Sequence, residues 1–297
     1  MGSRVSACSL TGARRALTIL AIAGALALVQ GSAHAHEQLA EQIARVSAQI
    51  ARLPANAELR VRRAELYRAA RQYQQALADL NRASVIDPTL AAIDLVRAHV
   101  CLDMRDPAAA ADAASRFLAR HAGHADALIV RGRALAILGR GHDAVADFTG
   151  ALEASPMPDL YIERARVTAR SGGKGVEDAL RGLDEGIGRL SPLVTLETEA
   201  IDLEIKLARY DAALTRLERL SAQSARKESW LVRRGEILEL AGRVEEARST
   251  YRAALAAATA LPDWIQRTPA SSALVERLHA EIARLENAGT TRQQRRN

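Results

Sequence analysis

The residues best equipped for chemistry in this chain are a few histidines and one thiol. His121 and His124 stand together in "HAGH", with His142 further along. A metal centre wants three or more ligands backed by carboxylates, and this pair reads instead as loop histidines between helices. His36, if it became an N-terminus, offers an amine and a ring to copper, with no second ligand in view. Cys101 in "RAHVCLDM" reads as a small apolar core residue on a helix. The glycine-rich "SGGKG" (171–175) has neither the spacing of a phosphate-cradling loop nor a strand ahead of it. No serine or cysteine nucleophile stands in a recognisable setting, so the expectation is no catalytic residue, no metal and no cofactor.

Composition points the same way. Of 297 residues 48% are apolar and only 3% aromatic, which suits a core of packed helices. The first 35 residues read as a secretory signal: Arg4, Arg14 and Arg15 precede an apolar run from Ala16 to Val29, and Ala33 and Ala35 form a cleavage pattern before His36. The run is short of the roughly 20 residues a permanent span needs, although an uncleaved anchor is the alternative. Cleavage removes three arginines and no acid, lowering the formal charge from +6 to +3, and Arg292, Arg295 and Arg296 in the tail account for the remainder. The body is then formally neutral, which argues against nucleic acid as a partner. Cleavage also removes Cys8 and leaves Cys101 alone, so no internal disulfide is expected.

These residues are held by a repeat. Small side chains recur at Ala64, Ala98, Gly132, Ala165, Ala200 and Gly235, spaced 33 to 35 residues apart. A second small row follows at Ala76, Ala110, Ala144, Ala179, Ala213 and Ala247, and a mostly larger one at Leu80, Ala114, Phe148, Leu183, Leu217 and Tyr251. Each unit reads as two antiparallel helices. Positions four and three apart, such as Ala144, Phe148 and Ala151, share one face. Small residues let two backbones approach, Phe148 fills the space where they diverge, and Pro156 ends the second helix.

A period near 34 with small, aromatic and proline slots in this order resembles the tetratricopeptide repeat family. The stretch Ala57 to Pro88 carries the pattern through Ala64, Tyr67, Tyr73, Ala76, Leu80, Ala83 and Pro88. The resemblance implies an all-α superhelix, or solenoid, of about six helix-turn-helix repeats over 57–261. A half-repeat precedes it at 36–56, a capping helix follows at 262–288, and 289–297 is a basic disordered tail. Two departures stand out. The second unit has Ala122 in the proline slot, and the fourth has a lengthened turn and Gly182, Gly186 and Gly188 in its second helix, which marks it as a weak joint or hinge. At the ends, Leu39, Ile43, Val46 and Ile50 form one stripe, and Leu274, Leu278, Ile282 and Leu285 another. The latter reads as a cap or as a short coiled-coil seam.

Relatives of this kind bind extended peptides or helices along the first helices of their repeats. That face projects onto Val61, Glu65, Arg68, Leu95, His99, Ile129, Arg133, Ile162, Arg166, Arg170, Glu236 and Glu239. Val61, Leu95, Ile129 and Ile162 form either an apolar stripe for a partner or ordinary core, and Arg133, Arg166 and Arg170 suit acidic residues of a ligand. A further row, Arg63, Arg97, Arg131, Arg164 and Arg234, is either an anion ladder or a set of ion pairs with acids such as Asp79 and Asp147. The lysine and asparagine set with which chaperone-binding relatives clamp a carboxylate is missing. The expectation is an exported, periplasmic, non-catalytic scaffold for a protein or peptide partner. Self-assembly into a homo-oligomer, or service as an accessory subunit of an envelope-assembly or export enzyme, are the alternatives.

Overall fold

The computed structural model describes residues 37–191 and 193–294. The signal segment, His36 and the last three residues lie outside the described residues. Fifteen helices and no strand occur among those described. They fall into two compact units divided between Ala122 and Gly123, beside the slot that lacks its proline.

The first unit holds α1 (37–52) and two hairpins, α2 (Ala57–Ala69) with α3 (Tyr73–Ile86) and α4 (Ala92–Asp103) with α5 (Pro107–Leu118). Val46 and Ile50 of the α1 stripe are buried. The second unit holds four hairpins: α6 (Ala125–Ile137) with α7 (Gly141–Ala154), α8 (Pro158–Ala169) with α9 (Gly175–Leu190), α10 (Val194–Lys206) with α11 (Tyr210–Ala222), and α12 (Glu228–Leu240) with α13 (Val244–Thr259). A four-residue helix, α14 (Asp263–Gln266), then leads to α15 (Pro269–Gln294). The final helix thus starts later than 262 and runs to Gln294, into the stretch read as a disordered tail. Leu278 and Leu285 of its stripe are buried, and Leu274 and Ile282 pack beside them on a core that includes Tyr251 and Ala254 of α13. The seam is therefore occupied within the chain.

Each hairpin turns on a backbone in the left-handed region. Arg71, Arg105, Gly139, Gly172, Gly173, Ala208 and Gly242 lie at φ between 54° and 76°. In five of the six turns the following amide reaches back five residues to the first helix, as from Gln72 to Tyr67 at 2.7 Å and from Arg243 to Leu238 at 2.9 Å. This closes the orphan carbonyls of the helix end. Glycine fits the conformation; Arg71, Arg105 and Ala208 adopt it under strain.

Every alanine of the two small rows is buried, and the interleaved glycines explain themselves by what a side chain would strike. A Cβ on Gly132 would lie 2.6 Å from the Phe148 ring, and one on Gly235 would meet the Tyr251 ring at 2.7 Å from Cδ1. Where the facing residue is aliphatic, as at Leu80 or Leu217, alanine suffices. The fourth unit reverses the arrangement. Its aromatic is Tyr161 on the first helix, fully buried, and its glycine is Gly186 on the second, where a Cβ would stand 2.7 Å from the ring. Gly182 leaves room for the Arg164 guanidinium, whose Nη2 lies 3.1 Å from where its Cβ would be. Two of the three glycines read as a weak joint are thus close-packing positions, and α9 is one unbroken helix of 16 residues.

Candidate functional site

The recurring arginines face the slot three residues after the second small row. In the first unit Arg63 donates from Nε and Nη2 to both oxygens of Asp79, at 2.6 and 2.8 Å, and from Nη1 to Ser47 Oγ on α1 at 2.9 Å. In the third, Arg131 makes the same fork onto Asp147 at 2.7 and 2.6 Å. Both aspartates are buried. The hydrogen bonds they accept, against the opposing effect of burial, raise both guanidinium pKa values above the usual range. The slot in the second unit is Ala113, and Arg97 turns to Asn81 Oδ1 at 2.8 Å. In the fourth it is Gly182, whose carbonyl accepts from Arg164 at 3.2 Å while Glu185 accepts at 2.8 Å. Arg234 of the sixth lies 3.9 Å from Glu218. Arg63, Arg131 and Arg164 are thus engaged with acids of their own chain, as the ion-pair reading has it, whereas Arg97 meets only neutral partners.

The fifth unit reverses this polarity. Glu199 takes the arginine slot and Arg216 the aspartate slot. Arg216 joins three helices: Nη1 donates to Glu197 Oε2 at 2.7 Å, Nη2 to Glu204 Oε1 at 2.9 Å, and Nη2 also to Asp184 Oδ1 at 3.0 Å. Glu197 and Glu204 are each 4% exposed. Burial opposes the Arg216 charge, and the Glu204 and Glu197 carboxylates outweigh it, holding the guanidinium well above its ordinary range.

Within each compact unit the expected partner-binding face is also charge-paired, from one first helix to the next. Arg68 on α2 donates to Asp103 on α4 at 3.0 Å in the first unit. In the second, Arg133 on α6 holds Glu163 on α8 through two bonds of 2.8 and 2.7 Å, and Arg166 on α8 holds Glu199 on α10 at 3.0 and 2.9 Å. Arg233 on α12 donates to Asp202 on α10, Arg277 on α15 to Glu236 at 2.7 Å, and Arg284 on α15 to Glu239, which also accepts from Tyr251 Oη at 2.7 Å. Arg133 and Arg166 are therefore engaged with acids of their own chain. Arg170 is exposed and has no partner among the described residues.

The apolar members divide. Val61 and Ile129 are 6% and 7% exposed and belong to the core, whereas Leu95 and Ile162 are half-buried. Glu65 is exposed and His99 half-buried. The four-residue stripe is thus not a continuous surface, because two of its four side chains are enclosed by the core. Projection from sequence missed the pairing along these helices, since Asp103, Glu163 and Glu199 lie 30 to 35 residues beyond their arginines and Asp202, Glu236 and Glu239 lie before theirs. The findable signal was an acid one or two residues before the small residue of the following unit, Glu163 before Ala165 and Glu199 before Ala200.

The remaining candidates have local employment. His124 caps α6, its Nδ1 accepting from the Ala127 amide at 3.3 Å, and the His121 ring packs on Phe117 with centroids 4.7 Å apart. Among the described residues no three histidines, cysteines or acids are grouped to hold a metal, and no helix is long and apolar enough to cross a membrane. Cys101 is buried, and burial pushes its thiol up.

The family model for the tetratricopeptide repeat matches residues 95–156 and 198–262. The chain carries tetratricopeptide repeats. Solved structures agree in fold. The C-terminal part of a tetratricopeptide repeat-containing protein from Cytophaga hutchinsonii aligns with a TM-score of 0.62 at 13% identity, over 80% of this chain and 95% of its own. PilW, described as a type IV pilus biogenesis factor, gives 0.53 at 22% identity over 62% and 86%, and pilF of Pseudomonas aeruginosa 0.50 at 19% over 78% and 99%. No curated protein matches the sequence significantly. The matched segments of this tetratricopeptide-repeat chain leave out 157–197, the unit in which Tyr161 and Gly186 exchange large and small positions.

Proposed function

We propose that this tetratricopeptide-repeat protein is an exported, non-catalytic scaffold that holds a protein or peptide partner on its repeats. The observation that carries the reading is the fold itself: within each compact unit, hairpins in one register present a row of first helices, and most of the charges in the middle of that row are paired within the chain. Such a surface recognises shape and a few exposed side chains; it does not assemble a reactive constellation. The arginine-flanked apolar leader and the cleavage pattern before His36 support export to the periplasm. The test is cross-linking in a periplasmic extract followed by purification of the full chain. Reproducible recovery of a second protein supports the reading, and consistent recovery of this chain alone overturns it.

A further inference from the structure

The first helices of the second unit end in side chains that the chain itself does not use. Ile137 is the last residue of α6, Arg170 the cap of α8, Lys206 the last residue of α10 and Leu240 the last residue of α12. Ion pairs tie α6 to α8, α8 to α10 and α10 to α12, so these ends stand in sequence along one edge. Ile137 is 64% and Leu240 56% exposed, and Leu138 is exposed beside Ile137. Arg170, Lys206 and the neighbouring Arg209 are exposed, and their side chains make no hydrogen bond or ion pair among the described residues.

Most acids in the adjoining turns are already taken. Asp143 is held by Arg140, Asp178 by Arg181 and Asp211 by Arg243. Glu177 is unpaired; it and Asp184 share a shallow cleft with Lys174, Arg181 and Arg209, where the cations outnumber the carboxylates. The edge therefore reads apolar, cationic, cationic, apolar, with a surplus of positive charge at its centre. Cations are favoured at helix C-termini by the dipole, and here they keep their donors free.

We propose that this edge is a docking strip for an extended acidic segment of another protein, with apolar residues at its ends and carboxylates between them. The inference rests on the scaffold reading above and names the partner's chemistry. Packed helices lie about 8–10 Å apart, so four helix ends span about 30 Å. An extended chain covers that in roughly nine or ten residues. Complementarity then asks for carboxylates about three residues apart, opposite Arg170 and the Lys206–Arg209 pair.

The test is fluorescence anisotropy on the full chain with a labelled synthetic peptide of about ten residues. It carries leucine at each end, two glutamates about three residues apart and glycine and serine elsewhere; a twin has lysine for glutamate. The acidic peptide should bind, more weakly as salt is raised, and the lysine twin should not. The variant R170E/K206E/R209E should bind it about tenfold or more weakly with an unchanged circular dichroism melt, and Ile137→Ser with Leu240→Ser should also weaken it. Equal binding of the two peptides, no binding of the acidic one, or an indifferent charge reversal overturns the proposal. If the acidic peptide fails while cross-linking still recovers a partner, this inference falls and the scaffold reading stands. If neither captures anything, both fall.

Discussion

Two glycines two positions apart on α9 should respond to alanine with opposite sign. At Gly186 the added methyl would stand 2.7, 2.8 and 3.0 Å from Cγ, Cδ1 and Cδ2 of Tyr161, a ring that is fully buried. Ordinary carbon contacts are about 3.5–4.0 Å, so the ring or the helix must move by roughly 0.8 Å. Overpacking of this kind costs about 1–3 kcal/mol, and the better helix propensity of alanine returns up to about 1 kcal/mol. The net is a destabilisation of about 1 kcal/mol. At Gly188 nothing lies within 4 Å, so Gly188→Ala keeps the propensity benefit and stabilises by about 0.5–1 kcal/mol. Urea titrations followed by far-ultraviolet circular dichroism should separate the two variants by about 2 kcal/mol. Hydrogen exchange at α9 amides should place the effect locally, because repeat arrays do not always unfold as one unit. Tyr161→Leu should relieve Gly186→Ala, giving a coupling of about 1 kcal/mol or more. If Gly186→Ala stabilises as much as Gly188→Ala, the close-packing account is wrong and the fourth unit is the loose joint its glycine count suggests.

Further outcomes follow from the buried charges and the strained turns. Arg131→Ala leaves Asp147 buried without its fork and should cost about 2–3 kcal/mol in chemical denaturation, less than the upper range for a buried pair because Arg131 is partly exposed; Asp147→Asn on top should recover part of the loss. Arg216→Met strands Glu197 and Glu204 and should cost about 3–5 kcal/mol, with Arg216→Lys a poor substitute because an ammonium cannot reach three carboxylates in the plane of a guanidinium; equal stability of the lysine variant would refute that role. Arg71→Gly, Arg105→Gly and Ala208→Gly should each stabilise by about 0.5–1 kcal/mol, the relief of left-handed strain minus the entropy that glycine adds to the unfolded chain; thermal melts check this directly.

What could be read in advance was whatever repeats within one register. The small rows at Ala64 and Ala76 and the apolar stripes at both ends follow from periodicity and helix geometry alone, and the same spacing put Arg63 opposite Asp79 as one of two readings. What could not be read depends on pairs that are not periodic. Val61 and Ile129 are buried because helix rotation is set by the neighbouring hairpins, and a turn of one residue moves a side chain by about 100°. Arg133 and Arg166 looked free because their acids belong to the next unit. Gly182 and Gly186 of α9 looked loose because the role of each lies in the residue it faces, Arg164 or Tyr161, and a scan of one helix at a time does not compare volumes across two.

The reversed polarity of the fifth unit bears on how such a chain can be recombined. Loss of one whole unit would keep the small slots in register, since they recur every 33 to 35 residues. It would not keep the charges. Deleting the fifth unit would carry Arg234 into the slot of Glu199, so that Arg166 would meet a cation where it now grips a carboxylate, and Asp184 would lose Arg216. Units of equal length are thus not interchangeable copies, and the order in which they stand is itself inherited information.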